Sequence, residues 1–152
     1  MALYLEFDRI VRGFARAKVR YAVAGGFAVG LHGHVRATLD MDFLVHGDDL
    51  VKANAVLKRL GYRANPDVQE LARAGLTLQR WFKRVPREDD LMVVDLIIPR
   101  STRMRNVLKR AIRIPYRRTS LPVVTARDLV AMKRLRGSAA DKADIDFLRK
   151  RQ

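Results

Sequence analysis

The chain has 152 residues, a formal net charge of +15 from 31 basic and 16 acidic side chains, and no cysteine. This length predicts one domain with its own core, and the lack of cysteine excludes disulfides, thiolate metal sites and cysteine nucleophiles. The positive charge favours a polyanionic partner, nucleic acid before an anionic membrane, although arginine used only for solubility gives the same composition. With no signal-peptide pattern and no apolar run of roughly 18 residues, we expect a cytoplasmic protein that does not enter the membrane.

Helical and strand-like patterns alternate in the first half of the chain. They predict a helix over residues 3–18, a strand over 21–24, a helix over 27–31, a strand over 41–45, and a helix that Asp48 or Asp49 caps and that ends near residue 60. The glycine pair at 25–26 separates the first strand from the second helix. Such a pair allows a tight turn between the two.

The second half predicts a short helix over residues 66–74, strands over 76–85 and 91–98 joined by a turn, a helix over 102–109, short strands over 112–116 and 123–124, and helices over 126–135 and 141–150. The segment LMVVDLII is apolar except at Asp95, which predicts burial on both faces. The mixture predicts an α/β (α+β) class with a mixed sheet flanked by helices, formed by one domain over residues 1–152 with the C-terminal helices packed on it.

Two aspartates flank one methionine at the start of the second strand. Asp40 and Asp42 point to the same side because side chains alternate along a strand. Two like charges this close need neutralisation, and magnesium prefers carboxylate oxygens. With Asp95 on a neighbouring strand, the set could hold two metal ions around a phosphoryl transfer. A solvated strand edge remains an alternative for the first two, and an arginine partner for Asp95.

Glycines after a strand also permit close approach of the backbone to a phosphate. Gly25 and Gly26 have this position, although for two glycines alone an ordinary tight turn explains the pattern better. In the loop that follows, Arg36 is placed to contact a phosphate and Thr38 to position the loop. These residues are therefore candidate nucleotide-binding positions.

Other charged or metal-ligating side chains have simpler explanations. His32 and His34 have the spacing of a metal pair, but without a third ligand we expect a satisfied or solvent-facing pair. Lys133 could reach into a cleft from its helix, but its spacing favours solvent. Asp141 and Asp144 open the last helix, where carboxylates favour the helix dipole.

Together these motifs resemble those of a known superfamily. AlaGlyGly followed by AspMetAspPhe is similar to the signature of nucleotidyltransferases with the polymerase-β-type fold. The fuller string GGFAVGLHGHVRATLDMDFLV resembles the AbiEii-like, minimal-type nucleotidyltransferases, which include toxins of toxin–antitoxin systems. VVDLI and DLVAMKRLRGSAADKADIDFL extend the resemblance over most of the chain. SerAlaAla before Asp141 departs from the family pattern, and the helical C-terminal region is shorter, which bears on the substrate rather than the chemistry.

The resemblance implies magnesium-dependent transfer of a nucleoside monophosphate from an NTP such as ATP to a hydroxyl acceptor. It implies the following roles: metal and triphosphate binding by Asp40 and Asp42, completion of the site and general-base action by Asp95, phosphate binding by Gly25 and Gly26, a triphosphate contact by Lys133, and an additional polar group at Asp141. The charge favours an RNA acceptor, such as the tRNA 3′ end, over cationic aminoglycosides. A cognate antitoxin is an expected partner; a protein or small-molecule acceptor and a non-catalytic binding module remain alternatives.

Overall fold

The computed structural model describes residues 2–35, 37–86, 89–135 and 139–151. Its helices are α1 (Ala2–Ala17), α2 (Gly25–Leu31), α3 (Leu50–Arg59), α4 (Thr102–Lys109), α5 (Ala126–Arg134) and α6 (Ala139–Arg149). Its strands are β1 (Tyr21–Ala24), β2 (Asp40–Val45), β3 (Arg63–Ala64), β4 (Gln69–Leu71), β5 (Leu76–Val85), β6 (Asp90–Pro99), β7 (Ile112–Tyr116) and β8 (Thr119–Val123). Within these residues, no helix has both the length and the apolar character needed to cross a bilayer.

The strands form one mixed sheet in the order β3-β5-β6-β2-β1-β8-β7, with β4 paired to the remaining part of the β5 edge. In its centre, β2 is antiparallel to β1 and parallel to β6. The β5–β6 and β7–β8 pairs are antiparallel hairpins on either side of this centre. The mixed sheet and its helices confirm the predicted fold class.

Aromatic packing fixes α1 and α2 to the sheet. The Phe7 ring stacks on Phe27 with centroids 4.3 Å apart, and the Phe14 ring meets Phe43 edge-on at 5.3 Å. All of β1 is buried, as are residues 94–99 of β6, so the expected burial of LMVVDLII holds for its second half, whereas Leu91 is exposed. Each such aromatic pair contributes about 0.5–1.5 kcal/mol beyond burial, so α1 is a fixed part of the domain.

The C-terminus of α1 has an unusual backbone conformation. Lys18 has a φ of +57°, in the left-handed region that favours glycine. The Val19 amide donates to the Phe14 carbonyl at 2.9 Å, which closes the helix as a left-handed C-terminal residue does. A lysine therefore occupies a position where glycine is normally less strained.

The predicted helix over residues 66–74 is wrong. Gln69–Leu71 forms β4 instead, and Ala72–Ala74 is a single 3₁₀ turn. The reason is non-local: β5 is ten residues long and its outer edge offers unpaired backbone groups. The short strands β3 and β4 pair with that edge, so tertiary hydrogen bonds override the local helical pattern.

Two further boundaries and one predicted helix cap also differ from the sequence prediction. β8 begins at Thr119 because it pairs with Tyr116 across a tight hairpin. α2 begins at Gly25, so the glycines form its first turn rather than a separate loop. Asp49 makes no capping hydrogen bond at the start of α3; its carboxylate accepts from the backbone and side chain of Arg20 at 2.8 Å.

Candidate active site

The sheet brings the three predicted aspartates together. Asp40 and Asp42 lie on one face of β2, and Asp42 is the register partner of Asp95 on β6. Register partners on adjacent strands point to the same side at a spacing of about 4.8 Å. Asp95 is 4% exposed, whereas the first two are half-buried. The result is a cluster of carboxylates at the start of β2, here called the acidic cluster.

Gly25 presses its backbone against this cluster. Its φ is +61°, and a Cβ at this position would overlap the Asp42 carboxylate. Ala24 is the register partner of Asp42, so the turn from β1 into α2 lies directly beside the carboxylate. Both the backbone angle and the close approach therefore require glycine here, whereas Gly26 is simply buried in the first turn of α2.

Arg80 on β5 is the cation of the acidic cluster. Its Nε donates to Asp95 Oδ1 at 2.8 Å and its Nη2 donates to Oδ2 at 2.9 Å. The hydrogen bond to Asp95 raises the pKa of the Arg80 guanidinium, and the charges of Asp95, Asp40 and Asp42 raise it further against the opposing effect of burial. The structure therefore confirms the alternative in which Asp95 is paired with an arginine.

The sequence prediction did not include Arg80, yet the hairpin contains the signal for it. Val85 pairs with Asp90, and stepping five residues from each along the ladder reaches Arg80 and Asp95. Two strands joined by a predicted tight turn set this register to within a residue. A charge search along the predicted hairpin would have identified the pair.

The chemistry of the acidic cluster suits magnesium, because its donors are hard carboxylate oxygens on one face. Even so, in the part of the chain that the structure describes, no group of three histidine, aspartate or glutamate side chains is arranged to hold a metal ion. Both oxygens of Asp95 are engaged by Arg80. The metal set of Asp40, Asp42 and Asp95 stays a prediction.

The spacing of Lys133 predicted a side chain in solvent, and this prediction is wrong. Lys133 is buried, with 4% of its surface exposed. Its Nζ lies 3.3 Å from Asp141 Oδ1 and 3.1 Å from Asp144 Oδ2, both on α6. Lys133 follows Leu129 and Val130 on the buried face of α5, so packing of α6 onto that face encloses it. These three residues are here called the buried triad. A triphosphate contact by Lys133 or Asp141 stays a prediction.

The two histidine rings both have partners within the chain, as expected. His32 Nε2 lies 2.9 Å from the Val124 carbonyl. The His34 ring stacks on Phe147 with centroids 4.7 Å apart, and its Nε2 lies 3.6 Å from Asp144. Both rings therefore connect the segment after α2 to the C-terminal part of the chain.

The loop before β2 holds the remaining predicted positions. The Thr38 hydroxyl donates to the Asp40 carbonyl at 3.2 Å, which orders the chain next to the acidic cluster. Arg36 lies outside the described residues, as do Gly137 and Ser138 of the predicted break between the last two helices. The nucleotide-binding roles of Thr38 and Arg36 stay predictions.

The fold is shared with solved nucleotidyltransferases. ANT(2″)-Ia in complex with adenylyl-2″-tobramycin aligns with 97% of this chain and 88% of its own, with a TM-score of 0.61 and 12% identity. The lincosamide antibiotic adenylyltransferase LnuA, bound to lincomycin, aligns with 95% of this chain and 94% of its own, with a TM-score of 0.61 and 17% identity. No family model matches the chain, and no curated protein is significantly similar to it. The predicted nucleotidyltransferase fold is confirmed; the AbiEii-like assignment stays a prediction.

Proposed function

We propose that this chain is a magnesium-dependent nucleotidyltransferase that transfers a nucleoside monophosphate from an NTP to a hydroxyl group on RNA. The observation that carries the proposal is the acidic cluster, in which three carboxylates gather where the Gly25 backbone presses against Asp42. The shared fold with ANT(2″)-Ia and LnuA supports it.

In this proposal each part of the cluster has a distinct task. Asp40, Asp42 and Asp95 would hold magnesium, two ions in the expected arrangement, and bound magnesium would neutralise charge on the phosphates. Asp95 would accept the proton of the attacking hydroxyl at an oxygen that Arg80 releases when the substrate binds. The hydroxyl oxygen then bonds to the α-phosphorus, while the bond between the α-phosphorus and the oxygen that bridges it to the β-phosphorus breaks. Pyrophosphate is the leaving group.

The bare backbone at residues 25–26 supports the phosphate-binding part of the proposal. Without side chains, the first turn of α2 admits a triphosphate close to its amide groups. Thr38 orders the neighbouring loop, and Arg36 would add a positive charge there. ATP is the first nucleotide to test, since the two structural neighbours carry adenylyl transfer in their names.

RNA is the acceptor that the charge of the chain favours. A net charge of +15 attracts a polyanion and repels cationic acceptors such as aminoglycosides. A tRNA 3′ end offers a hydroxyl on such a polyanion. The neighbours' antibiotic acceptors, tobramycin and lincomycin, are therefore poorer models for this chain than their fold is.

The biological setting proposed is that of a cytoplasmic toxin neutralised by an antitoxin protein. Modification of tRNA ends would stop translation, so induced expression should arrest growth of a bacterial host. Expression of the Asp42→Asn variant should not arrest growth, because the transfer is lost. Equal arrest by both proteins would contradict the toxin role without bearing on the chemistry.

A second candidate is a non-catalytic RNA- or partner-binding module that keeps the fold. The bidentate Arg80–Asp95 ion pair favours it, because the guanidinium itself neutralises the carboxylate and engages both of its oxygens. A module of this kind would bind RNA but would show no magnesium-dependent binding of NTP.

The test is transfer of label from each α-³²P-labelled NTP to total tRNA in the presence of magnesium. The Asp42→Asn variant should lose at least about 10²–10³-fold in rate, because an essential electrostatic partner of the phosphates is removed. Asp89→Asn changes a fully exposed aspartate in the β5–β6 turn, more than five residues along the hairpin from Arg80 and Asp95, and should leave the rate unchanged. Absence of both transfer and magnesium-dependent NTP binding would leave the binding module; NTP binding without transfer would mean a different acceptor.

A further inference from the structure

A second charged region lies at the opposite end of the central strands from the acidic cluster. It is an open groove of about 1190 Å³ between the end of α1, the end of α4 and the β7–β8 hairpin. Its lining includes six basic side chains, here called the groove cations: Arg12, Lys18, Arg100, Arg105, Lys109 and Arg113. His46, which follows β2, also lines it, so the groove begins about 13 Å along the strand from Asp42.

The groove cations lack acidic partners. Among the described residues, none of them has a carboxylate within 4.0 Å, the distance at which a salt bridge would form. A seventh cation in the lining, Arg20, is held by Asp49 at 2.8 Å and lies 4.0 Å from Asp48. Uncompensated like charges in one concavity repel each other and create a positive potential, which an anionic ligand relieves.

Two of the guanidinium groups make hydrogen bonds of 3.0 Å or less to neutral partners. Arg100 Nε donates to Thr77 Oγ1 at 2.9 Å. Arg113 donates to the Ser120 hydroxyl at 3.0 Å and to the Ser120 carbonyl at 2.6 Å. These contacts fix the groups without neutralising their charge, so both arginines are oriented in advance for a phosphate.

Lys18 adds an independent observation. It carries the left-handed backbone conformation at the end of α1, where glycine is the unstrained residue, and its exposed side chain lines the groove. Backbone strain retained at one position is a pointer to function rather than to stability. A positive charge at this place in the groove is what the lysine supplies and glycine would not.

We propose that the groove binds the sugar–phosphate backbone of the RNA acceptor, at a distance from the reacting end. A concave surface rich in arginine suits a rod-like polyphosphate better than a flat bilayer, and arginine forks match phosphate oxygens. A polymer can occupy the groove and still extend to the acidic cluster. The inference rests on the proposed function only in taking RNA as the polymer.

The test compares two variants that lose the same charge. The groove variant combines Arg12→Gln, Lys18→Gly and Lys109→Gln; the control variant combines Arg59→Gln, Arg63→Gln and Arg73→Gln, which are exposed residues outside the groove. Binding of a fluorescein-labelled RNA of about 20 nucleotides is measured by anisotropy between about 50 and 200 mM salt, without magnesium or NTP. The full chain is used throughout.

We expect the groove variant to bind RNA at least about tenfold more weakly and its slope of log affinity against log salt to fall by about 2, because about 0.7 is lost per phosphate contact on a single strand. The control variant should keep the wild-type slope. Equal weakening of both variants, or none in the groove variant, would overturn the proposal. Groove-dependent binding of polyglutamate without binding of RNA would overturn it in favour of an acidic protein partner.

Folding and chemistry are controlled separately. Lys18→Gly alone should retain or raise the melting temperature while weakening RNA binding, because it removes strain together with charge. The Asp42→Asn protein should bind RNA as the wild type does. Failure of transfer with intact groove-dependent binding would therefore count against the proposed function and leave the groove assignment standing.

Discussion

The acidic cluster and the basic groove lie at opposite ends of the same central strands and treat charge in opposite ways. In the cluster, the Arg80 guanidinium lies near three carboxylates and is bonded to Asp95 in two places. In the groove, none of the six groove cations has a carboxylate of the described residues within 4.0 Å, and Asp48, which also lines the groove, lies beside Arg20. A site whose charge is balanced internally can exist without ligand and exchange its own cation for another. A site with uncompensated positive charge keeps a positive electrostatic potential that attracts anions from solution.

The difference assigns different work to the two ends. Short-range, compensated charges position reacting groups, whereas uncompensated charges attract and align a polyanion over a longer range. The buried triad of Lys133, Asp141 and Asp144 is a further compensated group, and it lies between two helices rather than in a groove. This comparison predicts that substitutions of compensated charges change stability or catalysis, whereas substitutions of the groove cations change only the binding of RNA.

The largest effect is expected at the buried triad. Lys133→Met should lower the free energy of unfolding by about 3–5 kcal/mol, because two buried carboxylates lose an ammonium group that lies within 3.3 Å of both. Urea unfolding measures this, with Lys142→Met on the exposed side of α6 as the matched control, expected to change it by less than about 0.5 kcal/mol. A small loss of stability combined with loss of NTP binding would instead place Lys133 at the triphosphate.

Two glycines of α2 test whether the turn beside the acidic cluster belongs to the nucleotide site. Gly25→Ala should cost about 1–3 kcal/mol and abolish magnesium-dependent NTP binding, because the new methyl group overlaps Asp42 and the backbone angle is left-handed. A Cβ at Gly30 would have no atom within 4 Å, so Gly30→Ala should stabilise α2 by up to about 1 kcal/mol. Thermal melts and NTP titrations of both variants decide the point. Normal NTP binding by Gly25→Ala would remove this turn from the site.

Arg80 tests the idea that an internal cation competes with magnesium. Arg80→Gln should lower the magnesium concentration for half-maximal transfer by about threefold to tenfold, because a positive charge near three carboxylates is removed. Arg84→Gln, on the same strand and exposed, is the control and should leave it unchanged. If the magnesium requirement stays the same while the KM for NTP rises, Arg80 binds the triphosphate and not only Asp95.

The smallest effect concerns Arg20, the compensated cation of the groove lining. Hydrogen bonding from Arg20 lowers the pKa of Asp49 to about 2 from the ordinary value of 3.8. A lowered pKa in the folded state contributes stability above about pH 4, and this contribution is lost as the pH falls from about 4 to 2. Melting temperatures over this range should therefore fall less for Asp49→Asn than for the wild type. Parallel curves for the two proteins would show that the pair adds no pH-dependent stability.

Local patterns of the sequence were enough for most of the elements and for the shared face of Asp40 and Asp42. The strand over 76–85 and the helix over 102–109 are found at their predicted bounds, because each depends on side-chain periodicity within one segment. Asp40 and Asp42 share a face for the same local reason. The α/β fold class follows from these elements and their order along the chain.

What the sequence did not determine depends on contacts between segments far apart in the chain. β4 replaces a predicted helix because β5 offers it an edge, and Lys133 is buried because α6 covers it. Arg80 reaches Asp95 only through the hairpin register, and the groove cations meet only because α1, α4 and the β7–β8 hairpin converge. Periodicity within a segment predicts on which face of a helix or strand a side chain lies. Only tertiary packing decides which residues contact that face, and these contacts determine whether a charged group has a partner of opposite charge.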